Sequence, residues 1–171
     1  MRIFLTLAMA ILCIGCTSKS LPEGGISDSD WNETTKIIYR FGDSSLPPDY
    51  HRSYTITVTE DLITVSIDSY DDVLLTREFP FSAEKFQALK EKLAKSGMKK
   101  HLMKGEDGCT GGTTESVSLY KPQEKFFDAY VYHCSGDSGD LYMPAGTTEL
   151  FTGLIPGGIE ELIKSTRKHR E

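Results

Sequence analysis

The fold is decided by residues 54–68, which read YTITVTEDLITVSID. Apolar and hydroxyl side chains alternate in both halves of this stretch, and a period of two is typical of β-strands with one buried face. The acidic pair Glu60-Asp61 interrupts the alternation at the place where a tight turn would join the halves. The stretch therefore predicts two neighbouring antiparallel strands, at residues 54–59 and 62–68.

Two more strands flank this pair. We predict them at residues 36–41 and 73–79, separated from the pair by the turn-forming segments 46–49 and 69–72. Four consecutive strands joined by short connections form an antiparallel meander, and the alternation makes one face of it apolar. This face requires a second layer of structure to cover it.

A helix after the meander can supply that layer. Ser82 is a favourable N-cap, and Gly97 is well placed to end a helix that runs to about Ser96. The apolar stripe of this helix is formed by Phe86, Leu89 and Leu93.

A second hairpin is predicted in the C-terminal half. Strand-like residues 116–120 and 125–133 surround Pro122-Gln123, and a two-residue loop there would pair Lys121 with Glu124. Beyond the hairpin we expect two short helices at residues 147–154 and 159–167. Strands that precede and separate helices indicate a two-layer α+β fold, with an antiparallel meander sheet and a helix packed on one face.

Length and charge exclude several classes of protein. The chain has 171 residues, enough for one domain, and a mean hydropathy of -0.30, which excludes a membrane protein with many spans. The chain contains 19 Lys and Arg residues and 25 Asp and Glu residues, so the formal net charge is -6. We therefore expect no nucleic-acid partner.

The N-terminus predicts a signal peptide, residues 1–15. Arg2 precedes an apolar segment that is shorter than the ~20 residues of a membrane-spanning helix. The residues Leu12-Cys13-Ile14-Gly15-Cys16 resemble the lipobox of bacterial lipoproteins, in which the cysteine after a small residue is acylated and becomes the new N-terminus. Cys13 stands where that family prefers Leu.

The resemblance implies that Cys16 carries a diacylglycerol thioether and an N-acyl chain such as palmitate. Two or more acyl chains anchor a protein stably to a membrane. In the family, Asp after the modified cysteine signals retention in the inner membrane, and Thr17 in this place implies the outer membrane. The chain then divides into the signal peptide, a lipidated N-terminus with a flexible tether at residues 16–34, and one globular domain at residues 35–171.

Cys109 and Cys134 remain as a pair in an oxidising compartment, which favours a disulfide. The predicted hairpin register brings them within two positions of each other, and a bridge there would contribute roughly 3 kcal/mol by the chain-entropy model. A zinc site that also uses His133 is the alternative, but it lacks the paired ligand spacing of zinc sites.

The loops beside these cysteines form the candidate binding rim. One loop is rich in glycine and unusually long, and the other is acidic, so a disulfide would gather both at one place. Their spacing fits neither an EF-hand nor a phosphate-binding loop, and we expect no metal and no cofactor. The residues of this candidate rim are Glu106, Asp107, Gly111, Gly112, His133, Asp137, Ser138 and Asp140.

The residues 136–139, Gly-Asp-Ser-Gly, resemble the nucleophile loop of chymotrypsin-like serine proteases. That family needs two β-barrels and an upstream base histidine in a defined context, neither of which this chain offers. We therefore interpret the motif as a polar turn that leaves the hairpin.

The leading expectation is a lipid-anchored, non-enzymatic envelope protein that binds a protein or glycan partner, with an inhibitor or immunity protein as a narrower version. The alternative is a small periplasmic hydrolase or metal-dependent enzyme that uses the loop from Cys134 to Asp140. This enzyme would need His133 to converge with Asp137 or Asp140 in a pocket.

Overall fold

The computed structural model describes residues 25–100, 111–134 and 137–167, with the backbone alone at Asp137 and Ser138. The strands in these residues are β1 (Lys36–Gly42), β2 (Ser53–Val58), β3 (Leu62–Ser69), β4 (Asp72–Pro80), β5 (Lys99–Lys100), β6 (Thr113–Lys121), β7 (Glu124–His133), β8 (Asp137–Gly139) and β9 (Leu141–Tyr142). The helices are α1 (Asp28–Glu33), α2 (Ala83–Ser96), α3 (Thr147–Thr152) and α4 (Ile159–Ser165).

Seven of the strands form one antiparallel sheet in the order β4-β3-β2-β1-β6-β7-β8. The predicted meander makes up one half of this sheet and the predicted hairpin much of the other. β1 joins the halves because it pairs with β2 on one side and with β6 on the other. Strands β5 and β9 form a separate two-stranded ribbon.

One face of the large sheet carries the core, as the alternation predicts. Side chains on this face are almost fully buried, whereas most of their neighbours in the sequence are partly or fully exposed. Ser53 and Asp68 are the buried exceptions in β2 and β3. The strand residues of the core are Ile37, Tyr39, Tyr54, Ile56, Val58, Ile63, Val65, Ile67, Val117, Leu119, Phe127, Ala129 and Val131.

All four helices add side chains to this core. Helix α2 begins after its N-cap Ser82, ends at Gly97 in the left-handed conformation (φ 80°), and buries the predicted stripe. In α3, the ring of Phe151 stacks on Tyr39 at 4.7 Å between centroids. The remaining helical core residues are Trp31 of α1 and Ile159 and Ile163 of α4. The predicted α+β class is therefore confirmed.

The second hairpin has the predicted loop and a different register along its strands. Lys121 pairs with Glu124 across Pro122-Gln123, as expected. The register then shifts by one residue between Leu119 and Tyr120, because a β-bulge adds a residue to β7. The added residue is Phe126, which directly precedes the buried Phe127.

Helix α1 lies in the segment that the sequence assigned to the tether. Ser27 caps it through a capping box, and Lys121 of the second hairpin forms ion pairs of 3.0 Å with both Asp30 and Glu33. The packed structure therefore begins before residue 35. None of the helices in the described residues has the length and apolar character needed to cross a membrane.

Cys134 is disulfide-bonded. Its predicted partner, Cys109, lies outside the described residues, as do the signal peptide and Cys16. The pairing of the two cysteines and the lipidation of Cys16 therefore stay predictions.

Candidate functional site

A groove of about 660 Å³ opens at one corner of the sheet, between the β1–β2 loop and the β3–β4 turn. We call it the Tyr70 groove. Cavities of this size match the range in which small ligands bind, about 300–1,000 Å³. Its lining residues are Pro48, Asp49, Tyr50, Arg52, Ser69, Tyr70, Asp72, Leu74, Thr166 and Arg167.

The β3–β4 turn places Tyr70 in a strained conformation. Ser69 pairs with Asp72, so Tyr70 and Asp71 form a two-residue loop, and both have positive φ angles, 51° and 67°. This is the pattern of a type I′ turn, which normally contains Asn and Gly. A bulky residue at positive φ costs of order 1–3 kcal/mol and persists only where its surroundings enforce it.

Two contacts hold the ring of Tyr70. One face stacks on the imidazole of His51 at 4.0 Å between centroids, and the hydroxyl donates a hydrogen bond to the carbonyl of Leu46. The side chain nevertheless stays 52% exposed. Because the imidazole covers only one face, the ring presents a fixed aromatic surface to solvent.

His51 adds a second energetic cost at this place. Its side chain is buried, and within the described part of the chain its Nδ1 atom has no hydrogen-bond partner. A buried polar atom without a partner costs about 1–3 kcal/mol. The other ring nitrogen, Nε2, lies 3.4 Å from the hydroxyl of Ser53. Backbone strain and one unsatisfied imidazole nitrogen therefore meet beneath the exposed ring of Tyr70.

Hydrogen bonds from Arg52 make the floor of the groove rigid. The buried guanidinium donates to the carbonyls of Pro48 and His51 and to both the hydroxyl and the carbonyl of Thr166, at 2.6 to 3.2 Å. The hydroxyl of Ser69 donates to the same Pro48 carbonyl at 2.9 Å. The β1–β2 loop is thus fixed to both α4 and the β3–β4 hairpin.

A second polar cluster lies inside the domain, around Glu115 of β6; we call it the Glu115 cluster. The carboxylate accepts hydrogen bonds from the hydroxyls of Tyr39, at 2.5 Å, and Thr148, at 2.7 Å. His133 Nε2 lies 3.0 Å from the other carboxylate oxygen. Since Thr148 belongs to α3, the cluster fastens that helix to the sheet.

Burial in this cluster changes the acidity of two tyrosines. Burial, reinforced by the hydrogen bond to Glu115, raises the pKa of Tyr39 far above its ordinary value. Burial likewise raises the pKa of Tyr54, whose ring lies next to that of Tyr39, to about 12. Both phenols therefore stay neutral over the whole physiological range of pH.

The candidate rim from the sequence is brought together in part. Gly112 lies against β7, where a Cβ atom would come within 2.7 Å of the carbonyl of His133. His133 pairs with Thr113 on one side and with Asp137 on the other. Gly111 precedes Gly112, and Ser138 pairs with Tyr132, so these rim residues share one end of the strands. Glu106 and Asp107 lie outside the described residues.

Asp140 is engaged away from His133. Its carboxylate accepts a hydrogen bond of 2.6 Å from the backbone N–H of Tyr130 and forms an ion pair of 3.3 Å with Lys100. The carboxylate that the structure places against His133 is instead Glu115, which sequence reasoning missed. Among the described residues, no three His, Cys, Asp or Glu side chains gather where they could hold a metal ion.

The Tyr70 groove was also missed by sequence reasoning. Only two residues, Tyr70 and Asp71, separate Ser69 from Asp72, and this spacing indicates a tight hairpin turn. Neither of the two is the glycine that such a turn normally contains. No family model, curated protein or solved structure matches this chain. Its function must therefore be inferred from its own residues.

Proposed function

We propose that this chain is a lipid-anchored bacterial envelope protein whose domain binds a protein or glycan partner without catalysing a reaction. The observation that carries the binding role is the Tyr70 groove. There the domain accepts a strained turn, and a buried histidine nitrogen without a partner among the described residues, to hold an aromatic ring in solvent. Costly local geometry of this kind is typical of ligand sites.

The resemblance of residues 12–16 to a lipobox supports the anchor, with Cys16 as the acylated residue and the outer membrane as its place. The disulfide bond of Cys134 is consistent with an oxidising compartment, and we propose Cys109 as its partner. On this proposal the tether precedes α1 and gives the Tyr70 groove room to reach a partner in the envelope.

The rigidity of the groove favours binding. Because Arg52, Ser69 and the stacked His51 fix its walls before a ligand arrives, little conformational entropy is lost on association. The hydrolase alternative draws less support, since Asp140 is engaged with Tyr130 and Lys100 and the Glu115 carboxylate beside His133 is occupied by two hydroxyls.

The anchor is tested by the intact mass of the membrane-extracted protein, measured with a thiol-alkylating reagent before and after reduction. We expect a chain that starts at Cys16 and carries three acyl groups, with two cysteines alkylated only after reduction. A Cys16→Ala variant should lose the acyl mass and the membrane association. An unacylated wild-type chain with two free thiols would contradict both the anchor and the compartment.

The binding role is tested by photo-cross-linking in intact cells, with benzoylphenylalanine in place of Tyr50. Tyr50 lines the Tyr70 groove and is 55% exposed, and Tyr130, with 53% exposure on β7, is the matched control position. We expect a discrete adduct from position 50 and none from position 130. Equal labelling from both positions, or none from either, would refute a protein partner at the groove.

A further inference from the structure

We propose that the ligand of the Tyr70 groove is a neutral saccharide, held by stacking on Tyr70 and by hydrogen bonds to the charged groups of the rim. This inference rests on the proposed binding function and narrows it to one class of ligand. The two observations behind it are the exposed, fixed aromatic surface and the mixture of charges around it.

The exposed face of Tyr70 suits the flat, apolar C–H face of a pyranose ring. Aromatic side chains offer a large apolar surface with few rotatable bonds, so little entropy is lost when another ring packs on them. Here the His51 stack and the hydroxyl bond to Leu46 fix the ring before a ligand arrives. Tyr50 and Leu74 extend this surface along the groove.

The polar groups of the groove match hydroxyls rather than a net charge. Two acidic residues, Asp49 and Asp72, and one basic residue, Arg167, line the groove. An anionic ligand would meet the carboxylates, and a cationic ligand would meet the guanidinium. A sugar hydroxyl both donates and accepts, so it forms charge-assisted hydrogen bonds with groups of either sign.

The test is isothermal titration calorimetry of the full-length protein, extracted from membranes in a detergent without a sugar headgroup. The probes are chitotriose, cellotriose and maltotriose, which separate an amino-sugar chain from hexose chains of two linkages. We expect at least one of them to bind with a Kd below about 10 mM, a range typical of weak, open sites. Preference for chitotriose would indicate an amino-sugar polymer as the natural source, and preference for cellotriose or maltotriose a hexose polymer.

Tyr70→Asn is the decisive variant, because Asn tolerates positive φ and keeps the turn while it removes the aromatic surface. We expect it to weaken saccharide binding by about tenfold or more, and Tyr50→Ala to weaken it less. Tyr130→Ala, which removes an equally exposed ring elsewhere, should bind as the wild type does. Thermal unfolding of each variant checks that the domain remains folded.

Two results would overturn the saccharide assignment. One is the absence of heat with all three probes in wild-type protein, and the other is equal affinity of wild type and a folded Tyr70→Asn variant. If cross-linking from position 50 still captures a protein in either case, the proposed binding function is retained and the assignment of a saccharide ligand is rejected. If neither a sugar nor a cross-linked partner is found, both proposals fail.

Discussion

The Glu115 cluster and the Tyr70 groove differ in the hydrogen bonding of their polar groups and in the exposure of their aromatic rings. In the Glu115 cluster, a buried carboxylate accepts bonds from two hydroxyls and lies against an imidazole, so both of its oxygens have polar partners. In the Tyr70 groove, a buried imidazole nitrogen has no partner in the part of the chain that the structure describes, and a large ring is exposed on a strained backbone. The contrast separates a cluster of mutually bonded groups from a costly site at which we propose that a ligand binds.

The largest expected effect tests the stabilising role of Glu115. Glu115→Ala should lower the free energy of unfolding by about 3 kcal/mol, because the hydroxyls of Tyr39 and Thr148 would lose their buried acceptor. Denaturant unfolding monitored by circular dichroism measures this loss. Glu124→Ala, at an exposed position of the second hairpin, is the matched control and should change stability by less than about 0.5 kcal/mol. Equal losses of stability in the two variants would contradict the stabilising role of Glu115.

The dependence of stability on pH is the second test of the Glu115 cluster. Tyr54 has its pKa raised to about 12, so the folded state retains this proton when the unfolded state has lost it, and stability must fall as pH rises. Between pH 10 and 12 we expect Tyr54 to contribute a loss of about 1 kcal/mol per pH unit. Tyr54→Phe removes this contribution, so the slope of its unfolding free energy against pH should be shallower than that of the wild type. Parallel slopes would mean that the phenol is not buried as described.

The smallest expected effect concerns the strained turn at the Tyr70 groove. Asp71→Gly should raise the free energy of unfolding by about 0.5 kcal/mol, because glycine adopts positive φ without strain and the lost ion pair with Arg40 is solvent-exposed. Asp72→Gly is the control, since residue 72 begins β4 and glycine there should lower stability by about 0.5–1 kcal/mol. Chemical denaturation of both variants gives the comparison. A loss of stability in Asp71→Gly would show that the turn is not strained.

Local patterns predicted most of the secondary structure. The alternation in residues 54–68 and the cap residues Ser82 and Gly97 were sufficient for β2, β3 and α2, because each signal arises within a few residues. The loop at Pro122-Gln123 was predicted for the same reason. Helix α1 was missed because its short polar sequence resembles a tether, and its stability depends on burial of Trp31 and on ion pairs with Lys121.

The candidate site was predicted far less well. Gly112, His133 and Asp137 of the predicted rim share one end of the strands. The carboxylate against His133 comes from Glu115, which lies one residue before the predicted strand at 116–120. The Tyr70 groove depends on Tyr70, His51 and Arg167, which lie far apart in the sequence. No spacing rule connects them, since they meet only after the sheet and α4 have packed.

The sequence by itself determined the strands, the long helix, the apolar face of the meander and the resemblance at Cys16, because period, caps and short motifs are local properties. Tertiary structure alone decided that β6 returns to pair with β1, that Glu115 fastens α3, and that Tyr70 stands exposed on a buried histidine. The reason is physical. A strand's alternation fits many partners equally well, and only the packing of the whole chain selects one of them.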